Sequence, residues 1–162
     1  MADKHKILIV EDEAVVARDI EQTLTRLGFD VVGTAQFANE AVAKVAEHKP
    51  DLVLMDISLQ GKRDGVEAAQ IIDERTQTPI VFLTAHTDKA TVARAQGISP
   101  AGYLVKPFNR ERLRDTINKA LGIEDAAVEQ PVGKASILLI DDSNYSQAMS
   151  LSLLGKQFQV KI

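Results

Sequence analysis

Leu52-Val53-Leu54-Met55-Asp56 is a row of four apolar residues that stops on a carboxylate. A short apolar run with no polar alternation reads as a strand buried on both faces, and such strands belong to parallel sheets covered by helices on either side. Upstream, Ala38, Ala41, Val42 and Val45 share one face of a helix that stops before Pro50, and Val31-Val32 opens a strand ahead of it. Further back, Val16, Ile20, Leu24 and Leu27 mark a helix that Gly28 ends, preceded by the apolar run Ile7-Leu8-Ile9-Val10. Downstream, Asp64 and Glu67 form a D-x-x-E capping pattern before a helix through Ile71 and Ile72. Pro79-Ile80-Val81-Phe82-Leu83 is a fourth strand, Asp88 caps a fourth helix, and Tyr103-Leu104-Val105 forms a fifth strand. Leu113, Ile117, Ala120 and Leu121 mark the last helix, closed by Gly122. Strands alternating with helices predict an α/β fold, a doubly wound five-stranded parallel sheet with helices on both faces.

Length and composition set the outer limits. The 162 residues hold one ordinary domain and an appendage. Apolar residues make up 45% and charged residues 26%, the balance of a soluble globular chain, while aromatics at 4% leave the core to aliphatic side chains. A formal charge of -4 argues against a nucleic-acid surface, which shows a basic excess. With no cysteine, disulfides and thiolate metal sites are excluded. Met1 to Lys6 leads into an apolar run too short for a signal peptide or a membrane span, so a cytoplasmic location and no membrane partner are expected.

Right-handed crossovers bring the carboxyl ends of all parallel strands to one edge, where ligands sit in open α/β sheets. The first strand ends at Glu11-Asp12-Glu13, the third at Asp56 and the fourth at Thr84, and Lys106 follows the fifth. Carboxylates this crowded repel one another, and a hard divalent cation with oxygen ligands relieves the repulsion. Magnesium suits a site of few carboxylates plus phosphate and water. Lys106 supplies a compact positive charge for phosphoryl oxygens, and Asp56 can act as a carboxylate nucleophile that forms an acyl phosphate. Each residue alone has an ordinary reading: an Asp at a strand end more often caps a helix, Thr84 could cap too, and acidic residues favour a helix N-terminus. Their joint fall at four strand ends on one edge favours the chemical reading.

Ile7-Leu8-Ile9-Val10-Glu11-Asp12-Glu13, Leu54-Met55-Asp56-Ile57, Leu83-Thr84-Ala85 and Gly102-Tyr103-Leu104-Val105-Lys106-Pro107-Phe108 resemble, in order and spacing, the signature motifs of response regulator receiver domains, including the chemotaxis regulators. The resemblance covers roughly residues 4 to 123. It implies the flavodoxin-like strand order 2-1-3-4-5, with Asp56 as phosphoacceptor. It further implies that Glu11, Asp12, Asp56 and the Ser58 backbone carbonyl hold Mg2+, that Lys106 contacts the phosphoryl group, that the Lys106-Pro107 bond is cis, and that Thr84 and Tyr103 form a switch pair. The implied partner is a sensor histidine kinase or a histidine phosphotransfer protein. Such a chain catalyses its own phosphorylation and slow dephosphorylation and is otherwise not an enzyme. Thr84 would move to the phosphoryl group, Tyr103 would swing inward, and the face of the fourth helix, fifth strand and fifth helix would change its partner affinity. Tyr103 also reads as an ordinary half-buried strand aromatic.

Two features depart from the common pattern. Glu11 stands where many receivers carry Asp, and the loop Ser58-Leu59-Gln60-Gly61-Lys62-Arg63-Asp64-Gly65 lacks the usual proline and is about one residue longer. Ser58 and His86, two positions beyond Asp56 and Thr84, tune acyl-phosphate lifetime in the family; His5 and His48 are expected to be solvated and lack metal-ligand spacing. Two rival readings are a receiver-like interaction module without phosphate turnover and a phosphatase of the haloacid dehalogenase kind. The first would lack one of the site residues, and none is lacking; the second requires an acid where Ser58 stands.

The proposed organisation is a receiver domain over 1–123, a linker over 124–134 and a second receiver-like segment over 135–162. Ile137-Leu138-Leu139-Ile140-Asp141-Asp142-Ser143 repeats residues 7 to 13 at an offset of 130, ahead of a helical stretch and a strand. The segment carries no acceptor, Thr or Lys to match, which points to the start of a second receiver or to an interaction appendage. It is expected to dock on its own receiver or on another copy in an exchanged homodimer.

Overall fold

The computed structural model describes residues 4–85 and 96–123. Five strands, β1 (Lys6–Val10), β2 (Asp30–Ala35), β3 (Leu52–Asp56), β4 (Ile80–Thr84) and β5 (Gly102–Val105), form one parallel sheet in the order β2-β1-β3-β4-β5. This is the order the resemblance to receiver domains implies. The described helices are α1 (Ala14–Leu27), α2 (Ala38–His48), α3 (Gly65–Thr76) and a last helix, Arg110–Leu121, with a short 3-10 turn at Gln96–Ile98. The expected helix after Asp88, His86, the linker 124–134 and the segment 135–162 lie outside the described residues.

Strand alternation divides the core. Leu8, Val10, Val53, Met55 and Phe82 point to one side, against Ala41 and Val45 of α2 and Val66, Ala69 and Ile72 of α3. Ile7, Ile9, Leu52, Leu54, Val81 and Leu83 point to the other, against Ile20 and Leu24 of α1 and Leu113 and Ile117 of the last helix. Every residue of β3 is buried, as expected of the middle strand of a sheet covered on both sides. Each large aliphatic side chain so enclosed stabilises the fold by about 1.5–3 kcal/mol.

The helix ends follow local chemistry. Gly28 and Gly122 close their helices in the left-handed conformation, at φ 93° and 65°. The Asp64 carboxylate accepts the Glu67 N–H at 3.0 Å and the Glu67 carboxylate accepts the Asp64 N–H at 3.1 Å, the reciprocal box read from the sequence. Asn109 caps the last helix by accepting the Arg112 N–H at 2.8 Å. No described helix is long and apolar enough to cross a membrane.

Register then places the chemistry. From β1 the chain turns one way to β2 and crosses back to β3 on the opposite side, so the crevice at the carboxyl ends of β1 and β3 is the point where strand order reverses. Val10 pairs with Met55, which sets Glu11 level with Asp56. Thr84 pairs with Val105, so Lys106 emerges one step beyond, and its N–H donates to the Thr84 carbonyl at 2.8 Å.

Candidate functional site

Asp56 ends the central strand with its side chain only 8% exposed. One carboxylate oxygen, Oδ1, accepts the Ser58 N–H at 2.9 Å; the other, Oδ2, accepts from Lys106 Nζ at 2.8 Å. The turn back toward α3 therefore holds the carboxylate from one side while an ammonium reaches it from β5. Lys106 also donates to Glu11 Oε2 at 2.5 Å, so a single ammonium bridges two carboxylates from residues 45 apart in the chain. Glu11 is fully buried, and its Oε1 accepts the Glu13 N–H at 3.3 Å. Asp12, half-buried beside it, completes a group in which Glu11, Asp12 and Asp56 each offer an oxygen within 4.8 Å of the others. A cis peptide joins Lys106 to Pro107, as the resemblance implies.

Charge at this rim is unbalanced. Three carboxylates face one ammonium, which leaves two negative charges in a largely desolvated pocket. Burial raises the Glu11 carboxyl above its ordinary value, the Asp56 charge adds to the rise, and the hydrogen bond and charge of Lys106 oppose it. Burial also works against the charged form of Lys106, yet hydrogen bonds to Asp56 and Glu11, with their charges, carry its ammonium above the ordinary lysine value. The donor set is three carboxylates, all oxygen, and stays net negative beside Lys106, which fits a hard divalent cation such as magnesium.

Thr84 stands half-buried at the end of β4 and Tyr103 lies one strand away. Tyr103 is 37% exposed, and its ring stacks on Phe82 with centroids 5.9 Å apart. Burial pushes its phenol above the ordinary value. Of the residues singled out in the sequence, Glu11, Asp12, Asp56 and Lys106 come together directly, with Ser58 bound to Asp56 through its N–H and Thr84 bound to Lys106 through its carbonyl. Sequence reasoning missed the Glu11–Lys106 pair, because nothing in either residue's surroundings announces a partner across the sheet.

An open parallel sheet of this order, with an acidic rim and a lysine at the carboxyl ends of β1, β3 and β5, defines a receiver. The chain belongs to the response regulator receiver domain family, whose sequence model matches residues 7–118. It is 40% identical over 116 residues to the transcriptional regulatory protein PdtaR of Mycobacterium tuberculosis, covering 72% of this chain and 56% of that protein, so it spans about half of that relative's length. It is 37% identical over 118 residues to the chemotaxis protein CheY of Bacillus subtilis, covering 72% of this chain and 98% of that one. Among solved structures, the receiver domain of sensor histidine kinase PA1611 from Pseudomonas aeruginosa PAO1, which has a magnesium ion coordinated in its active-site cleft, matches with a TM-score of 0.67 and 29% identity over 74% of this chain and 99% of that one.

Proposed function

We propose that Asp56 accepts a phosphoryl group from the phosphohistidine of a sensor histidine kinase or histidine phosphotransfer protein. An Asp56 carboxylate oxygen attacks phosphorus, an O–P bond forms, and the P–N bond to the donor imidazole breaks with its electron pair leaving on nitrogen. The observation that carries this reading is the Lys106 ammonium held between Glu11 and Asp56 at the end of the central strand. Carboxylates of Glu11, Asp12 and Asp56 and the Ser58 backbone carbonyl are the groups that would hold magnesium, which when bound offsets the charge of the transferred oxygens. The relative with magnesium in its cleft supports that choice of ion. Lys106 Nζ turns from its carboxylate partners to a phosphoryl oxygen, and the Thr84 hydroxyl closes on the same group.

The bound phosphoryl group adds negative charge and strong acceptor oxygens to the rim. Movement of Thr84 opens room for the Tyr103 ring, and the surface around β5 and the last helix changes its affinity for an output partner. The protein is thus a phosphorylated switch in the cytoplasm that turns over no separate substrate. Incubation with acetyl phosphate and magnesium should add one phosphoryl group per chain by intact mass. Asp56→Asn or chelation of the metal should abolish the addition, and labelling that persists in Asp56→Asn sinks the assignment.

A further inference from the structure

Gly65 opens α3 without a left-handed backbone, so flexibility is not what it contributes. It contributes space. A Cβ added there would overlap the Asp56 carbonyl oxygen and lie 2.9 Å from the Asp56 carbonyl carbon and 3.1 Å from Ile57 Cα. The Gly65 N–H donates to the Ile57 carbonyl at 3.1 Å, so the first residue of α3 sits flush against the backbone that carries Asp56.

Both sides of this contact are held in place. On the sheet side, the Ile57 N–H donates to the Leu83 carbonyl at 3.1 Å, which holds the same stretch to β4. On the helix side, the Asp64–Glu67 box fixes the first turn, and Val66, Ala68, Ala69 and Ile72 are buried in the core. Between them runs the return whose Ser58 N–H grips Asp56 Oδ1. Gly33 is the contrast within the same molecule: a Cβ there would meet only Leu8 Cδ1 at 3.6 Å and Lys44 Cδ at 3.8 Å.

We infer that Gly65 is a positioning residue for phosphoryl transfer: by letting α3 seat directly on the Asp56–Ile57 backbone, it sets where the Asp56 carboxylate and the Ser58 backbone stand relative to Lys106. The inference rests on the reading of Asp56 as phosphoacceptor. A methyl group at 65 must push the two backbones apart by roughly an ångström, and a misplacement of that size costs on the order of 100-fold in rate.

The test compares the full chain with Gly65→Ala, Gly33→Ala and Asp64→Ala. Folded fraction is taken from circular dichroism, magnesium affinity from calorimetry, and the phosphorylation rate per folded molecule from intact mass with acetyl phosphate at saturating magnesium. Gly65→Ala is expected to lower that rate by about tenfold or more and to weaken magnesium binding, while Gly33→Ala matches the parent. Asp64→Ala, which frees the helix start without a clash, is expected to lower the rate by a smaller factor, and it carries the test if Gly65→Ala does not fold. A folded Gly65→Ala with the parent's rate and magnesium affinity overturns the inference alone, as does an unaltered Asp64→Ala when Gly65→Ala is unfolded. A parent chain that takes no phosphoryl group overturns the phosphoacceptor reading and this inference with it.

Discussion

Replacing Lys106 by Met removes the ammonium that separates Glu11 from Asp56 and leaves a side chain of similar length in its place. In the parent, Lys106 is 18% exposed, Glu11 is fully buried and Asp56 is 8% exposed, so both ion pairs are largely shielded from water. Removing one partner of a buried pair costs 3–5 kcal/mol, and the residual exposure of Lys106 places this substitution at the low end, about 3 kcal/mol in metal-free buffer. The loss should be read by urea unfolding in the presence of a chelator. Magnesium should return much of it, because the carboxylates remain and no second cation competes for them. A ligand at a hundredfold its Kd contributes about 2.7 kcal/mol, close to the loss itself. The same variant should bind magnesium at least as tightly as the parent by calorimetry, yet fail to transmit phosphorylation to the amides of β5 and the last helix. If Lys106→Met is as stable as the parent under chelation, the ion pairs do not carry the weight assigned to them. If it loses magnesium binding, Lys106 builds the site rather than balancing it.

Leu54→Ala, at the fully buried middle of β3, should lower unfolding free energy by about 2–5 kcal/mol in urea, and a loss under 1 kcal/mol would mean that the site can collapse around the gap. Glu40 accepts the Gln36 N–H at 2.9 Å and pairs with Lys44 at 2.8 Å, and the Lys44 hydrogen bond first, then that of Gln36, hold its carboxyl below the ordinary 4.5. A lowered carboxyl stabilises the fold above its unfolded pKa and loses that contribution as pH falls through the folded one. Glu40→Gln should therefore cost roughly 0.5 kcal/mol at neutral pH, with the difference from the parent vanishing under acid, as followed by thermal unfolding across the pH range. A difference that grows on acidification would reverse the sign of this argument.

What could be read from the sequence was what is encoded locally. Apolar runs of four or five residues, helical spacing, the Asp64–Glu67 box and the glycines at 28 and 122 each specify their element through neighbours a few residues away, and the structure realises those that fall among the described residues. Lys49 and Gln77 end α2 and α3 at φ 47° and 53°, yet neither residue type announces a left-handed cap, so the end of α2 showed only through Pro50 and the end of α3 was not placed. The site was legible to the same depth. Acidic residues, a threonine and a lysine at strand ends marked the correct edge, because a parallel sheet brings those ends together whatever the register. The bridging of Glu11 and Asp56 by Lys106 was not legible, since it depends on Val10 standing beside Met55 and Val105 beside Thr84, relations that exist only once the sheet is assembled. The same holds for Gly65: in the sequence it is one residue after a cap, and its lack of a side chain acquires meaning only because the backbone of Asp56 passes behind it. Residues that supply charge and donors to the rim can be picked out by type, whereas residues that set the spacing of those groups act by what they lack and become visible only in three dimensions.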